Sequence, residues 1–293
     1  MKIGILKRLM PGIAALLLLT ACTEKPNENQ VTFIDKATHE VAMPMDLSTR
    51  YEALFRDVDK LSTDDATRAF FDFESVATKA QLDFVETVVL DSDIQKALAG
   101  CYGDTEMGFD IGCYHGEKKD EIQDICDHGF TFVPFNGLIY PVVNYKAFDS
   151  VTPYVSREAS SYIALKAHEL NDYMMGSNLS QEDLIDRLLS IETHLKAYAG
   201  GETAPTVYEL YKTYLYDFIP IELRTLGTLS EDDERLKTYQ FFADAHEQSV
   251  TAAIVKKYVN AIKDNGYVIN ASVLEVLDRF NDEIELYFTH VNT

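Results

Sequence analysis

Between Cys101 and Tyr145 the chain concentrates its chemically capable side chains: three of its four cysteines and two of its seven histidines fall in these 45 residues. Two of the cysteines open the same four-residue pattern, Cys113-Tyr114-His115-Gly116 and Cys126-Asp127-His128-Gly129. Two thiolates and two imidazoles are a donor set for tetrahedral zinc. The Cys-x-His step is tighter than zinc-finger spacing, and an exported chain meets oxidising surroundings, so a disulfide is favoured over a metal site. The expected pair is Cys113 with Cys126, because Glu117 to Ile125 reads as a short helix that would bring its flanks together, with Cys101 as the alternative partner. Either way one thiol is left over.

A second constellation is Ala167-His168-Glu169 and Ala245-His246-Glu247. His168 and Asp172 are four residues apart and share a helix face, and Asp244 and Glu247 lie within a turn of His246. Facing helices with such groups can hold a divalent metal, which makes His168, Asp172, His246 and Glu247 the candidate metal set and a metal-dependent envelope hydrolase the alternative function. The Glu-x-x-His pattern of di-iron bundles is missing, and 48 acidic residues make chance His-carboxylate neighbours common. No Gly-x-Ser-x-Gly elbow, phosphate-binding glycine loop or dinucleotide fingerprint occurs, so the sequence leans away from an enzyme and implies no cofactor. Tyr208, Tyr211, Tyr214 and Tyr216 could line a groove, although their helical spacing favours core packing.

The N-terminus supplies the export argument. Lys2, Lys7 and Arg8 precede an apolar run that ends in Leu19-Thr20-Ala21-Cys22, and the run is too short for a membrane-spanning helix. The tetrapeptide resembles the lipobox of bacterial lipoproteins, a resemblance confined to residues 1–22. It implies cleavage before Cys22, a covalent diacylglycerol and acyl chain on that cysteine, and anchorage in a lipid bilayer. Thr23 in place of Asp implies the outer membrane if the host is Gram-negative, with the body facing the periplasm or the cell surface.

The elements that must carry these groups are mainly helical. Residues 23–46 start polar and lack a sustained period, as a tether does, although Val31 to Ile34 has the composition of a short strand. From Leu47 the apolar residues recur at helical spacing, with starts at Ser62, Asp91, Ser156, Ser180, Pro205, Ser230 and Ser272. Helical patterning from Ser62 is expected to break before Leu90, and that from Ser230 to bend near Gln248. Phe130–Phe135 and Leu138–Val143 flank Asn136-Gly137, the signature of a two-residue hairpin turn. Pro134 and Pro141 cannot donate ladder bonds and suggest exposed edges or an irregular arm, for which packing over the helices is favoured over a partner-binding projection. The expected architecture is therefore a helical domain over 47–293, a multi-helix bundle or stacked helical hairpins, interrupted at 101–145 by a Cys-containing loop and one small β-hairpin.

Cleavage after residue 21 removes three positive charges and no negative ones, taking the formal charge from −22 to −25. Such a surface repels nucleic acid and anionic headgroups and favours basic partners. The expectation is a membrane-anchored lipoprotein that binds an envelope protein as adaptor, assembly factor or inhibitor. Solute capture in a helical groove is a further alternative.

Overall fold

The computed structural model describes residues 43–102, 109–135, 137–174 and 179–289. Cys22, the tether to residue 42, the expected strand at Val31–Ile34, and Asn136 lie outside them. The described chain is mainly α, as expected, and falls into two compact units that divide between Asn178 and Leu179.

Unit 1 runs α1 (Met45–Asp57), α2 (Thr63–Leu90), α3 (Ser92–Ala99), α4 (Lys119–Asp127), β1 (Phe130–Phe135), β2 (Leu138–Val143) and α5 (Arg157–Met174). The Ser62 hydroxyl accepts from Asp65 N–H and opens α2. That helix is unbroken over 28 residues, contrary to the expected interruption. It contains no glycine or proline, and Ala66, Phe70, Phe73, Ala77, Phe84 and Val88 make one continuous buried stripe. Asp91 then stops α2 and caps α3, its Oδ1 accepting from Asp93 N and Ile94 N at 3.0 and 3.1 Å.

β1 and β2 form the expected antiparallel hairpin, with Phe132 opposite Pro141 and Pro134 opposite Ile139. The hairpin packs over the helices, the favoured of the two readings, and does not project as an arm. Val133, Phe135, Tyr140 and Val142 are buried with Leu170 of α5, and Val85 and Val89 of α2 pack against them. The prolines fit because they occupy the pairs whose backbone groups point away from the partner strand, so they remove no ladder bond. The same pairing turns Ile139 N–H and C=O outward, and the Gln95 amide satisfies both, at 2.9 and 2.8 Å. The outward carbonyl of Phe132 accepts from the Tyr102 hydroxyl. Side chains thus satisfy outward backbone groups on both strands of a two-stranded sheet, three groups in all among these contacts. Gln95→Ala is expected to cost about 1–3 kcal/mol by orphaning two backbone groups, seen as faster amide exchange across β2; unchanged exchange there would refute the sealing role.

Unit 2 runs α6 (Gln181–Tyr198), α7 (Ala204–Phe218), β3 (Gly227–Thr228), α8 (Glu234–Ala245), α9 (Val250–Asp264), β4 (Val268–Ile269) and α10 (Ala271–Thr289). Ser180 and Asp183 form the expected capping box at α6. The long pattern from Ser230 is two helices, because Ser249 caps a new start and accepts from Ala252 N. A two-residue β3–β4 ladder was not expected; strands this short carry no readable period. Among the described residues no helix is long and apolar enough to cross a membrane.

Candidate functional site

The cysteine loop resolves into architecture. Cys101 and Cys113 are disulfide-bonded, with Cα atoms 5.3 Å apart and 12 residues of separation. The expected Cys113–Cys126 pair is thus corrected: Cys126 sits in the last turn of α4 as a free thiol. The short helix does form between Cys113 and Cys126, but the end of α3 delivers Cys101 to the turn that carries Cys113. A bridge of this span stabilises by about 3 kcal/mol on the chain-entropy model. It also takes the Cys113 thiolate out of any four-ligand zinc set.

The repeated Cys-x-His-Gly motif has two separate packing reasons. A Cβ on Gly116 would lie 2.7 Å from Ala97 Cβ and from the Tyr114 hydroxyl, so glycine lets this turn close on α3. Tyr114 is fully buried and donates to Glu117 C=O at 2.8 Å. Gly129 has φ +91° and leaves room for the Tyr51 ring. His128 Nδ1 lies 2.8 Å from Asp124 C=O, whereas His115 is exposed.

Burial, reinforced by the Asp127 charge, pushes the Cys126 thiol up to about 12. At pH 8 it is held as the unreactive thiol. Iodoacetamide at that pH is expected to modify Cys126 only after denaturation, and Cys101 and Cys113 only after reduction. Rapid native labelling of Cys126, or a 113–126 cross-linked peptide in a non-reducing digest, would contradict this arrangement.

The histidine set is divided. His168 lies on the exposed side of α5 in unit 1, His246 terminates α8 in unit 2, and the side chain of Asp172 lies outside the described ones. Among the described residues no three His, Cys, Asp or Glu side chains converge to hold a metal ion. Next to His168, Glu169 is buried and ion-paired with Lys166. Farther along the same unit, Glu74 Oε1 accepts from the hydroxyls of Tyr145 and Tyr162.

His246 and Glu247 do meet at one place, an open cleft of about 350 Å³ that is also lined by Glu192, Thr193, Lys196 and Ser249. Glu192 is the central group there and was not singled out by sequence. Only 2% exposed, it receives Ser249 Oγ–H at 2.7 Å, Val250 N–H at 2.9 Å, Thr251 N–H at 2.7 Å and the Thr251 hydroxyl. Lys196 Nζ stands 3.2 Å away and also donates to Gln248 C=O. Because the Thr251 hydrogen goes to Glu192, the Tyr211 hydroxyl must donate to Thr251 Oγ1, at 2.7 Å. Burial pushes the Glu192 carboxyl up, but the hydrogen bonds from Thr251, Ser249 and Val250 outweigh it and hold the carboxyl below its ordinary value. A carboxylate from α6 therefore fills the positive end of α9. The available signal was Glu192 itself, a charged residue beside Leu188, Ile191 and Leu195 on the buried face of α6.

The other notable surface of unit 2 is apolar. Tyr208, Tyr211 and Tyr214 are core residues, as their spacing favoured, but Tyr216 is half exposed. It is followed by a connection in which Ile219 and Leu223 are buried while Ile221 and Leu226 are 62% and 65% exposed. The connection is held from beneath: Tyr239 donates to Phe218 C=O and Tyr258 to Leu223 C=O. The Arg224 guanidinium lies 3.5 Å from the Tyr216 ring centroid and bonds Ile219 C=O at 2.6 Å. These contacts fix the connection as a ridge from which the side chains of Tyr216, Ile221 and Leu226 are each exposed. Comparison with protein-family models, with curated proteins and with solved structures finds no match for the chain.

Proposed function

We propose that the protein is a lipid-anchored envelope lipoprotein whose helical body holds another protein, with the Tyr216–Leu226 ridge as the docking face. The observation that carries the docking face is the combination of large apolar exposure with hydrogen bonding from below. Exposed Ile221 and Leu226 gain by being covered, and because the backbone beneath them is already fixed, little ordering entropy opposes association. The anchor rests on the resemblance of Leu19-Thr20-Ala21-Cys22 to a lipobox. Half-buried Glu74 and buried Glu169 and Glu192 are committed to tyrosines, a lysine and a helix start, which favours a binding role over hydrolysis.

Photoreactive residues placed singly at Ile221 and Leu226 in the full chain, irradiated in intact envelopes, are expected to give the same protein adduct. Position Leu90 of unit 1, 81% exposed, is the control. Adducts at the ridge that match those at Leu90 would remove the docking face. A second reading, solute capture, is favoured by the cleft beside His246, whose ≈ 350 Å³ lies at the low end of ligand-site volumes; a ligand that raises Tm in unit 2 would establish it.

A further inference from the structure

We infer that the segment received by the ridge is basic and amphipathic, an apolar stripe flanked by Lys or Arg; this rests on the docking face proposed above. The centre of the ridge is apolar, but its rim is acidic. Between Asp217 and Lys237 stand six carboxylates and three bases. The bases are already engaged: Arg224 on Tyr216, Arg235 on Asp233 at 2.9 Å, and Lys237 on Asp232 and Glu234 at 3.5 and 3.0 Å. Glu222, inside the ridge, is close enough to Arg235 and Tyr239 to act on both electrostatically, which ties the acidic turn before α8 to the ridge in space. Glu222 and Glu231 are exposed and have no salt-bridge partner among the described residues. An apolar strip with unpaired carboxylates beside it matches an occupant that brings both apolar anchors and positive charge.

The same charges weigh against the other occupants. A second copy would bring an identical acidic rim to a chain of formal charge −22, and like charges set face to face oppose association. An anionic headgroup surface meets the same repulsion. A basic segment is drawn in instead, and its contribution is weakened by salt.

The test uses the full chain in envelopes with the photoreactive residue at Leu226. The adduct is digested, and the partner peptide at the cross-link is sequenced. A peptide with clustered Lys or Arg and apolar residues at helical or alternating spacing is expected. Its yield should fall about tenfold in I221S and several-fold in E222Q/E231Q. The deficit of E222Q/E231Q should close when salt is raised from about 0.05 to 0.5 M, because the screening length then falls to a few ångströms. A structural effect of these exposed substitutions would not respond to salt in this way. A ridge-specific partner peptide that is neutral or acidic, a second copy of this chain, or a lipid adduct would overturn the inference. In the first of these cases the docking face itself would stand. A salt-independent yield would also overturn the inference, and a ridge without specific adducts would remove both it and the docking face.

Discussion

Glu192→Ala is expected to loosen the start of α9 by about 3–5 kcal/mol, the range for removing one member of a buried, hydrogen-bonded charge group. The substitution leaves Val250 N–H, Thr251 N–H and the Ser249 and Thr251 hydroxyls without their acceptor in a site where Thr251 is wholly buried. Ser249 can still cap Ala252 N–H at 3.1 Å, so α9 is expected to persist while its first turn opens. Hydrogen exchange followed by mass spectrometry on the full chain reads this locally. Peptides covering 246–254 should exchange far faster, and those covering α2 should not change. Glu192→Gln keeps a carbonyl acceptor and the shape, so a smaller loss is expected. Equal protection in the parent and the alanine variant would show that the carboxylate is incidental.

The same group sets a pH dependence. Its carboxyl is lower in the folded state than in the unfolded chain, so folding releases a proton near the titration and stability rises with pH there. The contribution is complete above the ordinary glutamate value of about 4.3 and is lost as pH falls through the folded value. Exchange of 246–254 should therefore accelerate on acidification below about pH 4 in the parent, beyond the intrinsic pH trend, and Glu192→Gln should lack that component. Asp57, Asp183 and Asp244 are also held low, by Lys60 and Arg56, by Ser180, and by Gln240 and Lys256. These pairs are exposed and screened by solvent, whereas Asp91 and Asp233, less exposed at the starts of α3 and α8, are held low as well, so the Glu192 component is the one read locally at 246–254.

What could be seen from sequence divides along the distance over which each cause acts. Ser62, Asp91 and Ser180 were legible as helix starts because a cap bonds to N–H groups two or three residues away. The strands Phe130–Phe135 and Leu138–Val143 were legible from the turn between them. Packing of that hairpin over the helices is the reading the sequence favours, but the group that satisfies its outer edge was not legible, because Gln95 lies 44 residues before Ile139. The disulfide partner failed for the same reason: local helix formation at α4 was correct, but the approach of α3 to the Cys113 turn is tertiary. Glu192 meets its acceptor role 57 to 59 residues away. The ridge was hidden by its composition, since Ile221 and Leu226 resemble core residues, and only the burial of their neighbours Ile219 and Leu223 shows which way they face.

Phe148→Ala should be the most damaging single truncation in unit 1, at about 3–5 kcal/mol. Phe148 is fully buried in the short helical segment after β2, and its ring lies 5.3 to 5.5 Å from those of Phe55, Phe70 and Phe73. Tyr51 and Tyr145 complete the cluster at 6.3 and 6.4 Å. One side chain thus joins α1, α2 and the segment leading out of the hairpin, and its removal leaves a cavity lined by rigid rings, which collapse poorly into the space. Phe148→Leu refills part of that volume and should recover a share of the loss. Phe241→Ala is the matched control, the same chemical change at a position 75% exposed, where an effect within about 0.5 kcal/mol is expected. Amide exchange in α1 and α2 reports the first variant and exchange in α8 the second. If the two alanine variants cost the same, the ring cluster does not hold α1 to α2, and the half-buried hydrogen bonds that Glu74 accepts from Tyr145 and Tyr162 would have to carry unit 1 instead.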